Sequence, residues 1–317
     1  LDELNFSSIR PTKEITIKQA VSDYFEHTKR LKKWSDNNAK NNVYIFNAFK
    51  QKIGPELPIN QLTGLLIENY FAELEISWAT ATGYAARIKS FLQFVKKQKW
   101  IKEEIEFEIP QRKQDKGITY FTQNDVEQLK ETIYTHTIAA AEHKHARPPQ
   151  LLWLIRFIDF LFYSGLRLNE ALSLKVSDID SIEEVIYIKN EKAKRTEQIH
   201  YGQIVPLKKV ILDQFAYLRK VHKAEPGRLF FLHAGSARVS KTIKKFIKIT
   251  FPPEKAERLK THSLRHGTGT FLVNAGVSLP YVQEYMRHKD IKTTLKYAKV
   301  MKKEMNEKVG EAFSPKK

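Results

Sequence analysis

Residues 151–166, LLWLIRFIDFLFYSGL, form the most apolar run in the chain and limit what the rest can become. A membrane span needs about 20 predominantly apolar residues. This run is shorter and carries Arg156 and Asp159, so it predicts a buried core helix instead. A helix apolar on nearly all sides has to be surrounded by other elements. The 317 residues are enough to do this in about two domains. The start, LDELNFSSIR, has no apolar h-region, which predicts no signal peptide. Cysteine is absent, which excludes disulfides, thiolate metal sites and cysteine nucleophiles. Together these features predict a soluble, cytoplasmic protein with no membrane partner.

Hydrophobic spacing predicts a mainly α fold with one small β-sheet. Residues 1–105 read as a bundle of four amphipathic helices. Ile17, Ala20, Val21, Tyr24 and Phe25 share a face, as do Val43, Ile45, Phe46 and Phe49. Residues 62–74 carry a similar stripe, and a helix over 80–100 has Thr80 as its cap and Tyr84, Ile88, Phe91 and Val95 on its apolar side. The period is lost over 106–121, which holds Pro110, Gly117 and dense charge and reads as a linker. A second, mixed domain is expected over 122–317, with a cap at Thr122. Two β-rich runs at 182–190 and 197–207, separated by the polar tip EKAKRT, predict a hairpin.

Lys and Arg total 54 against 36 Asp and Glu, a net charge of +18 that favours a polyanionic partner, nucleic acid first. Residues 241–300 alone hold 13 basic and 4 acidic side chains, half of that excess. Basic faces near Lys40, Arg87, Lys89 and Lys241 are candidate DNA contacts, each equally readable as a solvated face.

Some polar residues stand where a core would not choose them. In SGLRLNEALSL (164–174), Gly165 is expected to end the apolar helix and a new helix to begin near Asn169. That puts Arg167 at a turn, where its planar fork suits a phosphate or pairs with Glu170. HSLRHGTGTFLVNAGV (262–277) reads as a helix with His262 and Arg265 one turn apart and His266 beyond. His262 and His266 have zinc-protease spacing, but Ser263 replaces the glutamate base and no third ligand stands out, so no metal is expected. His266 reads as a buried, hydrogen-bonded histidine. In LPYVQEYMRHKDIKTTLKYAKV (279–300), His288 ends a helix, and Thr293 and Thr294 are expected to cap the next, which carries Tyr297 among lysines. Tyr297 is readable as packing or as a nucleophile for the phosphate those lysines attract.

Taken together, Arg167, His262-x-x-Arg265, His288 and Tyr297 nine residues later resemble the three boxes of the tyrosine recombinases, the phage-integrase family. The resemblance covers nearly the whole chain. It implies a helical core-binding domain followed by a mixed α/β catalytic domain, and no cofactor. Tyr297 would attack a DNA phosphate and form a 3′-phosphotyrosyl link. Arg167 and Arg265 would hold the phosphate oxygens, while His262 and His288 would donate to them. A hairpin lysine, placed at Lys192 with Lys189 and Lys194 as alternatives, would protonate the leaving 5′-oxygen. Lys194 is also a candidate DNA contact, and Glu170 and His266 are supporting residues.

Two departures from the family pattern are visible. The hairpin tip NEKAKRT has no glycine, and Met286-Arg287 replaces the usual Leu-Gly before the third-box histidine. The compact plan is similar to the Xer recombinases and, in its hairpin, to the XerH-like subgroup. That implies chromosome dimer resolution on double-stranded DNA by a homo-tetramer on two sites. The amphipathic tail 298–313 is expected to dock on a neighbouring subunit. An accessory DNA translocase is compatible with the resemblance, though no residue points to one. A phage or mobile-element integrase, a type IB topoisomerase and a catalytically silent DNA-binding protein are the alternatives.

Overall fold

The computed structural model describes residues 14–31, 34–109, 117–142, 151–190, 195–221, 223–232 and 235–298. The chain divides into two compact units, Leu1–Lys116 and Gly117–Lys317. It is mostly helical, with one small sheet. No helix among the described residues is long and apolar enough to cross a membrane.

The first unit contains α1 (Ile17–Arg30), α2 (Asp36–Ile53), α3 (Gly64–Ala72) and α4 (Trp78–Lys97). α1 opens on a reciprocal box in which Thr16 and Gln19 satisfy each other's backbone N–H. Its stripe enters the core as expected, with Tyr24 packed among the rings of Phe46, Phe91 and Trp34. Two details differ from the sequence reading. Val43 is exposed, because α2 begins at Asp36 and turns that position outward. The cap of α4 is Ser77, whose Oγ accepts from Thr80 N at 3.2 Å, so Thr80 lies inside the helix.

The second unit contains α5 (Gln123–Glu142), α6 (Leu152–Ser164), α7 (Leu168–Ser173), β1 (Ile179–Asp180), β2 (Val185–Asn190), β3 (Arg195–His200), α8 (Val205–Lys220), α9 (Ser236–Thr250), α10 (Pro253–Arg258), α11 (His262–Asn274), α12 (Leu279–Tyr285) and α13 (Ile291–Ala298). The apolar run becomes α6, which packs against α5, α8 and α11 and buries Leu154, Phe157, Ile158, Phe160, Leu161 and Phe162. Each such side chain contributes about 1.5–3 kcal/mol on burial, which makes α6 the central post of this unit. Thr122 and Asp125 cap α5 reciprocally at 3.0 and 3.1 Å. The strands form an antiparallel sheet in the order β1-β2-β3, with Ile186 opposite both Ile179 and Ile199. β3 ends at His200, short of the expected 207. Pro206 in the first turn of α8 sets a helical φ and lacks the N–H a ladder would use.

Phe107 is buried in the first core and Phe121 in the second, so both ends of the expected linker are built into the units beside them. Residues 110–116 lie outside the described residues, as does nearly all of the tail 298–313.

Candidate active site

The site is assembled on three turns of the second unit. The first follows α6. Gly165 adopts the left-handed conformation at φ +60° and stops the helix. A Cβ there would stand 2.9 Å from Met286 Sδ, so glycine is required both by the backbone and by the neighbour. Arg167 then occupies the N-cap of α7 with an exposed side chain. Its backbone N–H donates to Glu170 at 2.9 Å, and its guanidinium donates to the same carboxylate at 2.6 Å. Burial works against a charged Glu170, but the Arg167 hydrogen bonds and the Arg287 and Arg167 guanidiniums outweigh it and hold the carboxyl below its ordinary value.

The second is the start of α11, where His262 stands one turn before Arg265 and His266. Arg265 is buried, and its two amino nitrogens donate to the carbonyls of Gly165 and Met286. Burial, then the nearby Arg287 and Arg167, lower its pKa to about 10, which leaves it a cation at neutral pH. His262 is exposed and meets His266 edge to face at 4.6 Å. Desolvation, followed by Arg265 and Arg167, lowers the His262 pKa.

Two helical glycines let other elements approach α11. A Cβ at Gly267 would strike the Phe121 backbone and the Phe162 ring, and one at Gly269 would lie 2.5–2.9 Å from the Tyr297 ring. Between them, Thr268 donates to the Phe162 carbonyl at 2.5 Å. Glycine in a helix costs about 1 kcal/mol relative to alanine, and here it opens the space in which the tyrosine lies.

The third turn joins α12 to α13. His288 Nδ1 lies 2.9 Å from Thr294 Oγ1. Thr293 and Thr294 do not cap α13, which starts at Ile291 after Asp290 accepts from Lys292 N at 2.9 Å. Thr294 is therefore buried inside the helix and free to hold the histidine. Tyr297 is buried, with its hydroxyl 3.2 Å from His266 Nδ1 and its ring stacked near His288 at 6.0 Å. Burial raises the phenol pKa, while Arg265 and Arg167 oppose that rise. Burial and the surrounding cations lower His266 and His288 to about 4, so both rings are neutral at pH 7.

The structure thus gathers Arg167, Glu170, His262, Arg265, His266, His288 and Tyr297 into one place. Lys192 and Lys194 lie outside the described residues. Lys189, on β2, is paired with Asp178 at 2.8 Å. Among the candidate DNA contacts, Lys40 and Lys89 are exposed on α2 and α4, and Lys241 is exposed on α9. The Lys89 ammonium lies over the Phe107 ring at 5.3 Å, and Arg87 donates to Gly83 O at 2.7 Å in its own helix. No group of three His, Cys, Asp or Glu among the described residues is arranged to hold a metal ion. The sequence reading took Thr294 for a cap, noted Arg287 only as a departure from the family pattern, and gave Gly269 no role. Gly267 and Gly269 inside an expected helix were the available signal, because such a position usually marks a close approach.

With this geometry, comparison with known proteins is direct. The chain belongs to the phage integrase family, whose model matches residues 119–304. Within that family it is a tyrosine recombinase. It is similar to tyrosine recombinase XerC of Halalkalibacterium halodurans, 25% identical over 235 residues that cover 73% of this chain and 74% of that one. XerC of Pediococcus pentosaceus is 22% identical over 301 residues, 93% of this chain and 92% of its own. Among solved structures, the Tn1549 transposon integrase in complex with circular intermediate DNA has a TM-score of 0.66 at 16% identity, covering 89% of this chain and 95% of that one. A lambda integrase dimer bound to a core site has a TM-score of 0.67 at 14% identity, covering 89% and 77%. Both share the fold.

Proposed function

We propose that this recombinase cleaves and rejoins double-stranded DNA at a specific site through a 3′-phosphotyrosyl intermediate on Tyr297. The observation that carries this reading is the buried Tyr297 hydroxyl on His266, within the field of the Arg265 and Arg167 guanidiniums. In the step, Tyr297 Oη bonds to phosphorus as the bond from phosphorus to the 5′-oxygen breaks. The phenolic proton passes to His262, and the leaving oxygen takes a proton from a hairpin lysine, assigned to Lys192. Attack concentrates negative charge on the phosphate oxygens. Arg167 and Arg265 therefore stabilise the transition state more than the ground state. Two of the five Arg265 N–H groups hold the protein carbonyls, and the others remain for the phosphate. His262 and His288 add neutral donors. Glu170 orients Arg167, and His266 holds the phenol before attack. The covalent link conserves the phosphodiester bond energy, so rejoining needs no ATP.

The biological setting we infer is chromosome dimer resolution, by a tetramer assembled on two sites and docked through its C-terminal tail. Similarity to XerC over 93% of this chain supports an Xer role. The XerH-like hairpin and an accessory translocase belong to the same proposal. Affinity would come mainly from phosphate contacts, with Lys40, Arg87, Lys89, Lys194 and Lys241 as candidates, and would fall steeply with salt.

The test is incubation with nicked fragments of the source genome, followed by sequencing of the SDS-resistant adducts. The expected result is an adduct at one site family that persists in EDTA and disappears in Tyr297→Phe. Absence of any adduct identifies a silent binder. Relaxation of single duplexes without exchange between two sites identifies a topoisomerase.

A further inference from the structure

Arg287 is a large cationic residue in an unusual place. Its φ of +53° lies in the left-handed region that a side chain disfavours. Its side chain is nonetheless buried, 5% exposed. The guanidinium donates to Tyr285 O at 2.9 Å and to Gly165 O at 3.3 Å. It also lies 3.6 Å from a Glu170 carboxylate oxygen and 3.7 Å from one of Glu197. Its Nε is buried without a hydrogen-bond partner.

These contacts join three elements that are distant in sequence. Glu170 belongs to α7 and orients Arg167. Glu197 belongs to β3, opposite Ile188, in the hairpin. Gly165 O also accepts from Arg265. Two carboxylates from separate elements repel each other unless a cation lies between them. Arginine suits this position because its planar fork can serve several acceptors at once, whereas an ammonium is a point charge. Its amino nitrogens donate to backbone carbonyls, while its Nε meets Glu197 at ion-pair distance without a hydrogen bond.

We infer that Arg287 is a positioning residue that ties the β2–β3 hairpin to the first arginine box, so that protonation of the leaving 5′-oxygen depends on it. The inference rests on the recombinase reading above. Removing the cation leaves the Tyr297–His266, Arg167–Glu170 and Arg265–Gly165 contacts that the attack uses, but frees the β3 strand from the first arginine box. A misplacement of about 1 Å costs about a hundredfold in rate.

The experiment uses a synthetic duplex of the site recovered from adduct sequencing, made with either the natural 5′-bridging oxygen or a 5′-bridging sulfur. A thiolate leaves without a proton, so the sulfur duplex bypasses the general acid. Arg287→Gly keeps a backbone that glycine adopts freely. On the oxygen duplex it is expected to form adduct about a hundredfold more slowly. On the sulfur duplex the loss is expected to stay below about fivefold, the residual left once the acid step is bypassed. Glu197→Gln should show the same split with a smaller amplitude. Equal slowing on both duplexes, or no slowing on either, overturns the assignment. If Arg287→Gly fails to unfold cooperatively on heating, Glu197→Gln decides by the same criterion. Failure of the wild-type protein on both duplexes would instead overturn the recombinase reading.

Discussion

Gly269→Ala adds a single methyl group beneath the tyrosine. The new Cβ would lie 2.5, 2.6 and 2.9 Å from Cε2, Cζ and Cδ2 of Tyr297. Carbon atoms in ordinary contact are about 3.5–4.0 Å apart, so the ring must retreat by about 1 Å. The Tyr297 hydroxyl, 3.2 Å from His266 Nδ1, then leaves hydrogen-bonding range. A displacement of that size at the proposed nucleophile costs about a hundredfold in rate, or about 2.7 kcal/mol in the barrier. Stability should change less. Alanine gains about 1 kcal/mol of helix propensity over glycine, against about 1–3 kcal/mol for overpacking. The assay is single-turnover adduct formation on a nicked duplex, with urea unfolding in parallel. A variant that unfolds near the wild-type midpoint and forms adduct about a hundredfold more slowly fits the reasoning. Adduct formation at the wild-type rate refutes it, because the ring would then have room that the structure denies.

Thr294→Val removes the 2.9 Å partner of His288 Nδ1 and should slow adduct formation about tenfold, the value of one hydrogen bond, with little change in unfolding midpoint; an unchanged rate would mean that His288 is held by something else. Folded His266 and His288 titrate at about 4 instead of the ordinary 6.5. The unfolded chain therefore binds more protons between those values, and stability present above pH 6.5 should be lost as pH falls toward 4. The loss is about 3 kcal/mol for His266 and smaller for His288, which is more exposed and better screened by solvent. Urea unfolding from pH 7.5 to 4.5 measures it, and a flat profile counts against the burial. Lys244→Met removes an ammonium that donates to the carbonyls of Ala256, Glu257 and Leu259 at the end of α10, and should cost about 1–3 kcal/mol in urea unfolding. Equal stability would show those carbonyls to be as well served by water.

Much of this was legible in sequence because the relevant signals are local. The α6 run, its glycine stop and the turn that carries Arg167 follow from hydrophobicity and left-handed geometry within a dozen residues. The failures were of two kinds. Threonine next to a helix start reads equally as a cap or as an interior residue. Thr80, and Thr293 with Thr294, read as caps that neighbours supply, Ser77 in one case and Asp290 in the other. Arg287 stands out locally only as a departure from Leu-Gly; its role is not readable there, because its partners lie on α7 and β3 and only folding brings them within reach. Pattern alone also placed β3 through residue 207, where Pro206 instead opens α8.

Arg265 loses its rotamer freedom when the chain folds, well before a nucleic acid is bound, because carbonyls at the ends of α6 and α12 already grip both of its amino nitrogens. On the function proposed above, the phosphate would meet a cation that needs no reorganisation. The alignment of charge is thereby inherited from the seams between helices, and a disturbance of either helix terminus would be felt at the guanidinium.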